Sequence, residues 1–290
     1  MRHWQINVWM GTSARFDLHR FFGVSLGDNK PSSVTLLLLI IFSFKTMQVQ
    51  RQTIGQLECA IVNPTQNKSP QAVVILCHGF GASGSDLIPC AAEIIEFDQQ
   101  LGEVAYVFPA APLQLEPGYD ARAWWMIDVE NLQELMMQGK TRDMKDASPV
   151  ELPQCRSLIE ELIDWCQKQY NLPASQVVVG GFSQGAMLAT DVAINHPQRL
   201  GGLIIWSGAL MAQSQWQPSA AKQQKLSIVQ SHGSVDPILS IEGARDLHQM
   251  LKQAGHDASF QEFYGPHTVG REGIQGAANL IQAVLVKSDS

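Results

Sequence analysis

Beyond residue 47, continuous apolar runs alternate with segments whose apolar residues recur every three or four positions. A run that stays apolar throughout is typical of a strand that is covered on both faces of a sheet. The runs predict strands at Gln56–Val62, Ala72–His78, Val104–Ala110, Gln176–Phe182, Gly201–Gly208, Lys225–Gly233 and Ala258–Gly265.

The periodic segments lie between these strands and predict helices. In one of them Leu158, Leu162 and Cys166 fall on one face, and Asn171 marks its end. The predicted helices are Asp86–Phe97, Val150–Tyr170, Gln184–Ile194, Ile241–Ala254 and Arg271–Val286. Because strands and helices alternate, we expect an α/β fold with a mainly parallel central sheet and helices on both faces.

The first 46 residues do not continue this pattern. Scattered basic residues precede an apolar run, Val34–Phe44, which is too short to span a bilayer, since a spanning helix takes about 20 residues. Three interpretations stay open: translation that starts at Met47, a loosely packed extension, or a membrane anchor or uncleaved signal. We expect a single domain over 47–290, an extension of doubtful status over 1–46, and membrane association only if the apolar run is retained.

Composition narrows the class of protein. A chain of 290 residues with 45% hydrophobic content suffices for one large domain. The net charge is −7 and the Lys and Arg residues are scattered, which argues against nucleic-acid binding. The five cysteines follow no regular spacing. Cys155 and Cys166 lie about 16 Å apart on one predicted helix, which is too far for a disulfide. We therefore expect reduced thiols in a cytoplasmic protein. His and Asp residues show no metal-ligand spacing, and we expect neither a metal nor an organic cofactor.

The stretch Gly181–Gly185, G-F-S-Q-G, lies where a predicted strand runs into a predicted helix. It fits the pattern G-x-S-x-G, and a strand before it and a helix after it are the context that this pattern requires. The glycines allow a sharp turn that presents the Ser183 hydroxyl at the carboxyl end of the sheet. We therefore predict that Ser183 is a nucleophile; the alternative is a glycine-rich turn that happens to hold a serine.

A serine nucleophile needs a base, and the base needs a group that orients it. In this architecture the acid follows the serine and the histidine comes last, and both lie in loops after strands. Asp236 and His267 meet these conditions, whereas Asp246 lies within a helix and Asp257 precedes a strand. We predict that His267 is the base and Asp236 its orienting acid. His232, at the end of a strand, is predicted to be structural, with satisfied hydrogen bonds.

Backbone amides are expected to bind the oxyanion that forms when a serine attacks a carbonyl. The loop within Leu76–Asp86 follows a strand and carries glycines that let its backbone approach a ligand. We predict that the amides of Phe80 and Gln184 are the two donors. The same loop lacks the G-K-[ST] ending and the G-x-G-x-x-G spacing of phosphate-binding loops.

Together these motifs resemble the phospholipase/carboxylesterase family of α/β hydrolases. The resemblance covers roughly Gln56 to Val286 and rests on HGFGASGSD, FPAAP, AWWMID, GGFSQGAM, HGSVDPIL and a late P-H pair. It implies an α/β-hydrolase fold and a triad of Ser183, Asp236 and His267. Members of the family commonly have leucine where Phe80 stands, which is expected to change the pocket more than the chemistry, because only the amide acts there. The segment Val129–Glu151 is longer than in short members and leaves the acyl-chain preference open.

The expected function is that of a serine carboxylesterase working through an acyl-enzyme, on a small-molecule or lipid acyl ester. One alternative is an acyl-protein thioesterase, which acts on S-acylated protein, or a lysophospholipase; another is a scaffold that binds without catalysis. Trp124, Trp125 and Met126 are expected either to line an acyl pocket or to pack an irregular insertion on the sheet.

Overall fold

An eight-stranded sheet forms the centre of the fold in this computed structural model, which describes residues 48–64 and 68–288. The doubtful extension 1–46 lies outside the described residues. A separate two-stranded ribbon pairs β5 with β6. The strands in chain order are β1 (Val49–Ile54), β2 (Leu57–Val62), β3 (Val73–Cys77), β4 (Ala105–Pro109), β5 (Leu113–Gln114), β6 (Arg122–Ala123), β7 (Val177–Phe182), β8 (Gly202–Trp206), β9 (Ser227–Gly233) and β10 (Asp257–Phe263).

The sheet has the order β1-β2-β4-β3-β7-β8-β9-β10. Strands β1, β2 and β4 pair antiparallel at one side, and every pair from β4 to β10 is parallel. The prediction of a mainly parallel sheet is therefore confirmed. In a sheet of this kind, the loops at the carboxyl ends of the parallel strands meet along one edge.

Helices cover both faces of the sheet. The central strand β7 sends Val177 and Val179 into one buried apolar cluster, and Val178 and Phe182 into the other. Burial on both faces explains why the strand sequences are apolar without alternation. The helices are α1 (Ile88–Phe97), α2 (Val129–Met137), α3 (Leu152–Tyr170), α4 (Gln184–Asn195), α5 (Gln213–Lys222), α6 (Ile241–Gln253) and α7 (Arg271–Ser288), with 3₁₀ turns at Gln99–Glu103 and Ala174–Gln176.

Strand β1 and helices α2 and α5 are absent from the prediction. Of the residues in β1 only Ile54 is buried, and α2 buries none, so neither has a strong apolar pattern. Helix α5 is rich in glutamine and contains Pro218, yet its Trp216 is buried and donates from Nε1 to Asp191 Oδ1 at 2.8 Å. Tertiary packing therefore outweighs a weak helical sequence at α5.

The cysteines are buried and unpaired, and Cys155 and Cys166 share α3 as expected. Among the described residues, the helices are too short or too polar to cross a lipid bilayer.

Candidate active site

Ser183 stands between β7 and α4 in a strained backbone conformation, with φ +54° and ψ −117°. A positive φ is uncommon for a residue other than glycine, and such strain concentrates at functional sites. A Cβ atom on Gly181 or Gly185 would collide with the backbone oxygen of Cys77 in β3. The two glycines therefore let β3, β7 and α4 approach closely while the Ser183 amide donates to the Trp206 carbonyl at 2.9 Å.

The Ser183 and His267 side chains lie on the wall of one cavity of about 760 Å³. The loop after β3 contributes Phe80 and its neighbours, and the turn between β5 and β6 contributes a second side. The third side comes from α2 and the residues just before it. The cavity therefore opens at the carboxyl edge of the sheet, where the sequence places the reactive serine.

His267 and Asp236 meet at this edge from the loops after β10 and β9. His267 Nδ1 lies 2.6 Å from Asp236 Oδ2, and both residues are buried. The Phe182 ring packs against the imidazole with ring centroids 4.7 Å apart. Since Nδ1 is held by the carboxylate, Nε2 is the ring nitrogen that remains for a proton from the serine.

The Asp236 carboxylate is saturated with donors. Its Oδ1 accepts the backbone amides of Ile238 at 2.8 Å and Leu239 at 3.0 Å. Burial pushes the pKa of Asp236 upward, but hydrogen bonds from His232 and His267 outweigh it and hold the pKa well below its usual range. The group is therefore an ionised carboxylate at neutral pH, as a partner for an imidazolium must be.

His232 differs from its prediction as a fully satisfied structural histidine. Its Nε2 lies 3.2 Å from Asp236 Oδ2 and 3.0 Å from the Leu239 carbonyl oxygen. Its Nδ1 is buried, with no hydrogen-bond partner among the described residues. A second imidazole therefore contacts the acid.

The two predicted oxyanion donors flank the serine. Phe80 lines the cavity in the turn after β3, and Gln184 is the first residue of α4. Within the described part of the chain, neither amide donates to a protein acceptor. Gly81, with φ +80°, donates to the Arg122 carbonyl at 2.8 Å, and the Arg122 amide donates to the Ala82 carbonyl at 3.1 Å. This backbone pair fixes the turn that carries Phe80.

His78 is a positioning residue that the sequence analysis missed. Its buried ring donates from Nδ1 to the Gly79 carbonyl at 2.7 Å and accepts the Ala111 amide on Nε2 at 3.0 Å. Burial lowers the pKa of His78 to about 4, and the ring stays neutral. The sequence signal that could have identified His78 is its position between an apolar strand and a glycine-rich turn.

The Gln184 side chain is a second contact that the sequence did not reveal. Its Oε1 accepts the Trp124 amide at 2.9 Å, and its Nε2 donates to the Trp125 carbonyl at 2.8 Å. The residue after the serine therefore pairs with the backbone of the Trp-Trp segment, as a neighbouring strand would. This pairing ties Met126 and the start of α2 to the turn that carries Ser183.

The expected pocket residues separate into two groups. Trp124 and Trp125 are fully buried in the core cluster, where Trp124 donates from Nε1 to the His78 carbonyl at 3.0 Å. Neither ring is part of the cavity wall, whereas Met126 lies on it and is 59% exposed. The structure thus agrees with the packing alternative for the tryptophans.

Helix α2 supplies a cavity wall from the segment that the sequence left open. Val129, Leu132, Gln133 and Met136 line the cavity. Their spacing of three and four residues places them on one helix face. The Val129–Glu151 insertion thus shapes the space beside Ser183.

His78 predicts a pH dependence of stability. In the unfolded chain the ring takes up a proton near pH 6.5, whereas in the folded protein it does so only near pH 4. Below pH 6.5 the unfolded state therefore binds the proton first, and the free energy of unfolding should fall by up to about 3 kcal/mol as the pH drops to 4. Urea unfolding across this range measures the slope. Other groups also titrate, so His78→Gln is the control: its loss on acidification should be smaller, and equal losses would contradict the prediction.

Comparison with known proteins places this geometry in a family. The family model described as Phospholipase/Carboxylesterase matches residues 57–285. Acyl-protein thioesterase 1 of Debaryomyces hansenii is 27% identical over 228 residues, which cover 76% of this chain and 94% of that protein. Acyl-protein thioesterase 1 homolog 1 of Dictyostelium discoideum is 27% identical over 222 residues, which cover 74% of this chain and 92% of that protein.

Solved structures share the fold. The crystal structure of esterase PE8 superposes with a TM-score of 0.66 at 22% identity, covering 79% of this chain and 99% of that one. A carboxylesterase from Mesorhizobium loti gives a TM-score of 0.62 at 13% identity, and the match covers 81% of this chain and 98% of that one. Since the family model spans most of the sequence, the chain belongs to the phospholipase/carboxylesterase family of serine hydrolases.

Proposed function

We propose that the protein is a carboxylesterase that cleaves acyl esters through Ser183, His267 and Asp236. The observation that carries the proposal is that one cavity is lined by both a strained Ser183 and the His267 imidazole, which a buried carboxylate contacts at 2.6 Å. A nucleophile, a base and an orienting acid in this relation are the parts of a two-step acyl transfer.

In the first step Ser183 Oγ bonds to the ester carbonyl carbon while its proton passes to His267 Nε2. The carbonyl oxygen becomes negative and binds to the amides of Phe80 and Gln184. The bond to the leaving alcohol then breaks, and the alcohol takes the proton from His267. Water repeats the sequence on the acyl-enzyme, with His267 as base, and releases the carboxylic acid and free Ser183.

The cavity wall indicates what the ester carries. Its α2 side is mainly apolar and suits an alkyl chain. Its other side carries the carboxyl groups of Asp86, Glu116 and Asp120, and no Lys or Arg is among the described residues that line it. Because no Lys or Arg of the described chain lines the cavity wall, that wall offers no ionic partner for the anionic phosphate of a lysophospholipid, which favours neutral esters.

Thioester hydrolysis is the second candidate, because the sequence relatives carry the name acyl-protein thioesterase. The same serine chemistry cleaves an oxygen ester or a thioester, since both pass through the same acyl-enzyme. A panel of 4-nitrophenyl esters and acyl thioesters of matched chain length tests the proposal on Met47–Ser290 protein. Labelling by a fluorophosphonate, with the adduct mapped to Ser183, supports it; a folded protein that neither reacts nor hydrolyses overturns it.

Two adjacent methionines test the alkyl-chain wall. Met136 lines the cavity, whereas Met137 is 81% exposed and is not part of the wall. Met136→Ala should raise KM for long-chain esters about fivefold to tenfold, because it removes apolar contact with the chain, and should change KM for acetyl esters little. Met137→Ala is the matched control and should keep the wild-type profile. An equal effect of both substitutions would exclude α2 as the chain wall.

A further inference from the structure

His232, at the end of β9, shares the Asp236 carboxylate with His267. The His232 ring is fully buried, and its Nε2 approaches Asp236 Oδ2, the same oxygen that His267 Nδ1 contacts at 2.6 Å. With the two backbone amides on Oδ1, the carboxylate has two donors on each oxygen. Only one of these four donors belongs to the proposed base.

The proton on His232 can be assigned from its neighbours. Nε2 lies 3.0 Å from the Leu239 carbonyl oxygen, which only accepts hydrogen bonds. Nε2 therefore carries the hydrogen and donates it to the Leu239 carbonyl, and Asp236 Oδ2 lies 3.2 Å from the same nitrogen. Nδ1, on the far side of the ring, has no partner among the described residues. The ring is thus oriented through Nε2, by the Leu239 carbonyl and the Asp236 carboxylate, and not by a bond on its other nitrogen.

Charged groups around His232 come from four parts of the chain: β10, α6 and the loops after β9 and β10. Glu262 of β10 is its direct register partner, and Arg245 of α6 binds Glu262 through two contacts of 2.7 Å. The loops after β9 and β10 bring Asp236 and His267. Because Arg245 already neutralises Glu262, Asp236 is the anion left for His232 to contact.

We infer that His232 is a positioning residue of the hydrolytic reaction, which fixes the Asp236 carboxylate and takes up part of its charge. The kinetic part of this inference rests on the proposed function. A hydrogen bond to an anion spreads the negative charge and weakens the hold of that anion on its other partners. His232 therefore weakens the electrostatic hold of Asp236 on the His267 imidazole.

Removing the His232 donor has two effects that move together. The freed charge of Asp236 acts on His267, so the acid limb of the kcat/KM profile should move up by about half a pH unit or more. The Asp236 carboxylate also loses one of the donors that hold it in place, so kcat should fall about tenfold. His232→Leu removes the donor, and His232→Met is a second donor-free variant should leucine prevent folding. His232→Gln is the rescue, because its amide N–H can occupy the place of Nε2.

The experiment records kcat/KM for an acetyl ester from pH 5 to 9 for wild type and these variants, with Ser183→Ala as the blank. In parallel, ¹⁵N-histidine NMR follows protonation of the His267 imidazole without substrate. In the donor-free variants we expect the acid limb of the kcat/KM profile and the NMR midpoint of His267 protonation to move to higher pH together. In His232→Gln we expect both to return toward the wild-type values. Folded donor-free variants with a wild-type midpoint, or a Gln variant that behaves like leucine, would overturn the inference. Absence of Ser183-dependent hydrolysis in wild type would instead reject the proposed function, while the NMR midpoint still decides the charge coupling.

Discussion

Ser183→Ala should lower kcat for ester hydrolysis by about 10⁴-fold or more, because the covalent acyl-enzyme can no longer form. The structure gives the loss a local cause: the strained turn presents one hydroxyl to the cavity and supports it with close backbone packing. Alanine retains the Cβ atom at position 183 and leaves both predicted oxyanion amides in place. The fold should therefore survive, and thermal unfolding should show a stability close to wild type.

Ser157→Ala is the matched control for this experiment. Ser157 is exposed on α3, where its hydroxyl donates to the Pro153 carbonyl at 3.1 Å. The control should hydrolyse esters at the wild-type rate, and a mock purification from the expression host measures any contaminating esterase. Substantial turnover that persists in Ser183→Ala, above the level of a mock purification, would refute the assignment of the nucleophile.

Much of the fold was predictable because its signals are local. The strands from β2 to β10 that lie in the large sheet are apolar where both faces are covered, and predicted and observed bounds differ by a residue or two. The strand-turn-helix that carries Ser183 was also predictable, since the glycines at 181 and 185 and the flanking elements are neighbours in sequence. Asp236 and His267 were placed by their loops alone, and the structure brings them within 2.6 Å.

The missed features depend on partners far away in the sequence. The two contacts of the Gln184 side chain involve a segment about sixty residues earlier, and the His78 ring accepts the amide of Ala111, which follows β4. Helix α5 forms around one buried tryptophan despite its internal proline. No period or motif in a single sequence encodes such pairings, because each is set by the packing of complete elements.

Packing also explains why the Trp-Trp pair lies in the core and not on the cavity wall. Two adjacent aromatic residues suit a pocket wall as well as a core, and composition does not distinguish these uses. What decides is the backbone pairing with Gln184, which draws both rings inward and leaves Met126 at the cavity. Which residue of this segment lies on the cavity wall thus follows from a side-chain contact of Gln184, the residue after Ser183.

Asp236→Asn should reduce kcat about 10⁴-fold while leaving the site nearly isosteric. The carboxylate accepts a hydrogen bond from His267 Nδ1–H, whereas an asparagine amide group turned toward that nitrogen donates a hydrogen bond to it. The imidazole would then carry its hydrogen on Nε2, and it could not accept the proton of Ser183. The backbone amides of Ile238 and Leu239 both donate to Oδ1, so they hold the asparagine oxygen at that position and leave the amide nitrogen at the Oδ2 position, which faces His267.

Asp246→Asn is the appropriate comparison for the charge change. Asp246 lies on α6 and pairs with Lys145 at 2.6 Å on the surface, so its neutralisation should alter kcat less than twofold. Steady-state kinetics at neutral pH, with fluorophosphonate labelling as an independent measure of Ser183 reactivity, distinguishes the two variants. Equal losses would mean that net charge, and not the orientation of His267, limits the reaction. A large loss confined to Asp236→Asn, in kcat and labelling alike, would show that the carboxylate acts by selecting which nitrogen of His267 faces the serine unprotonated.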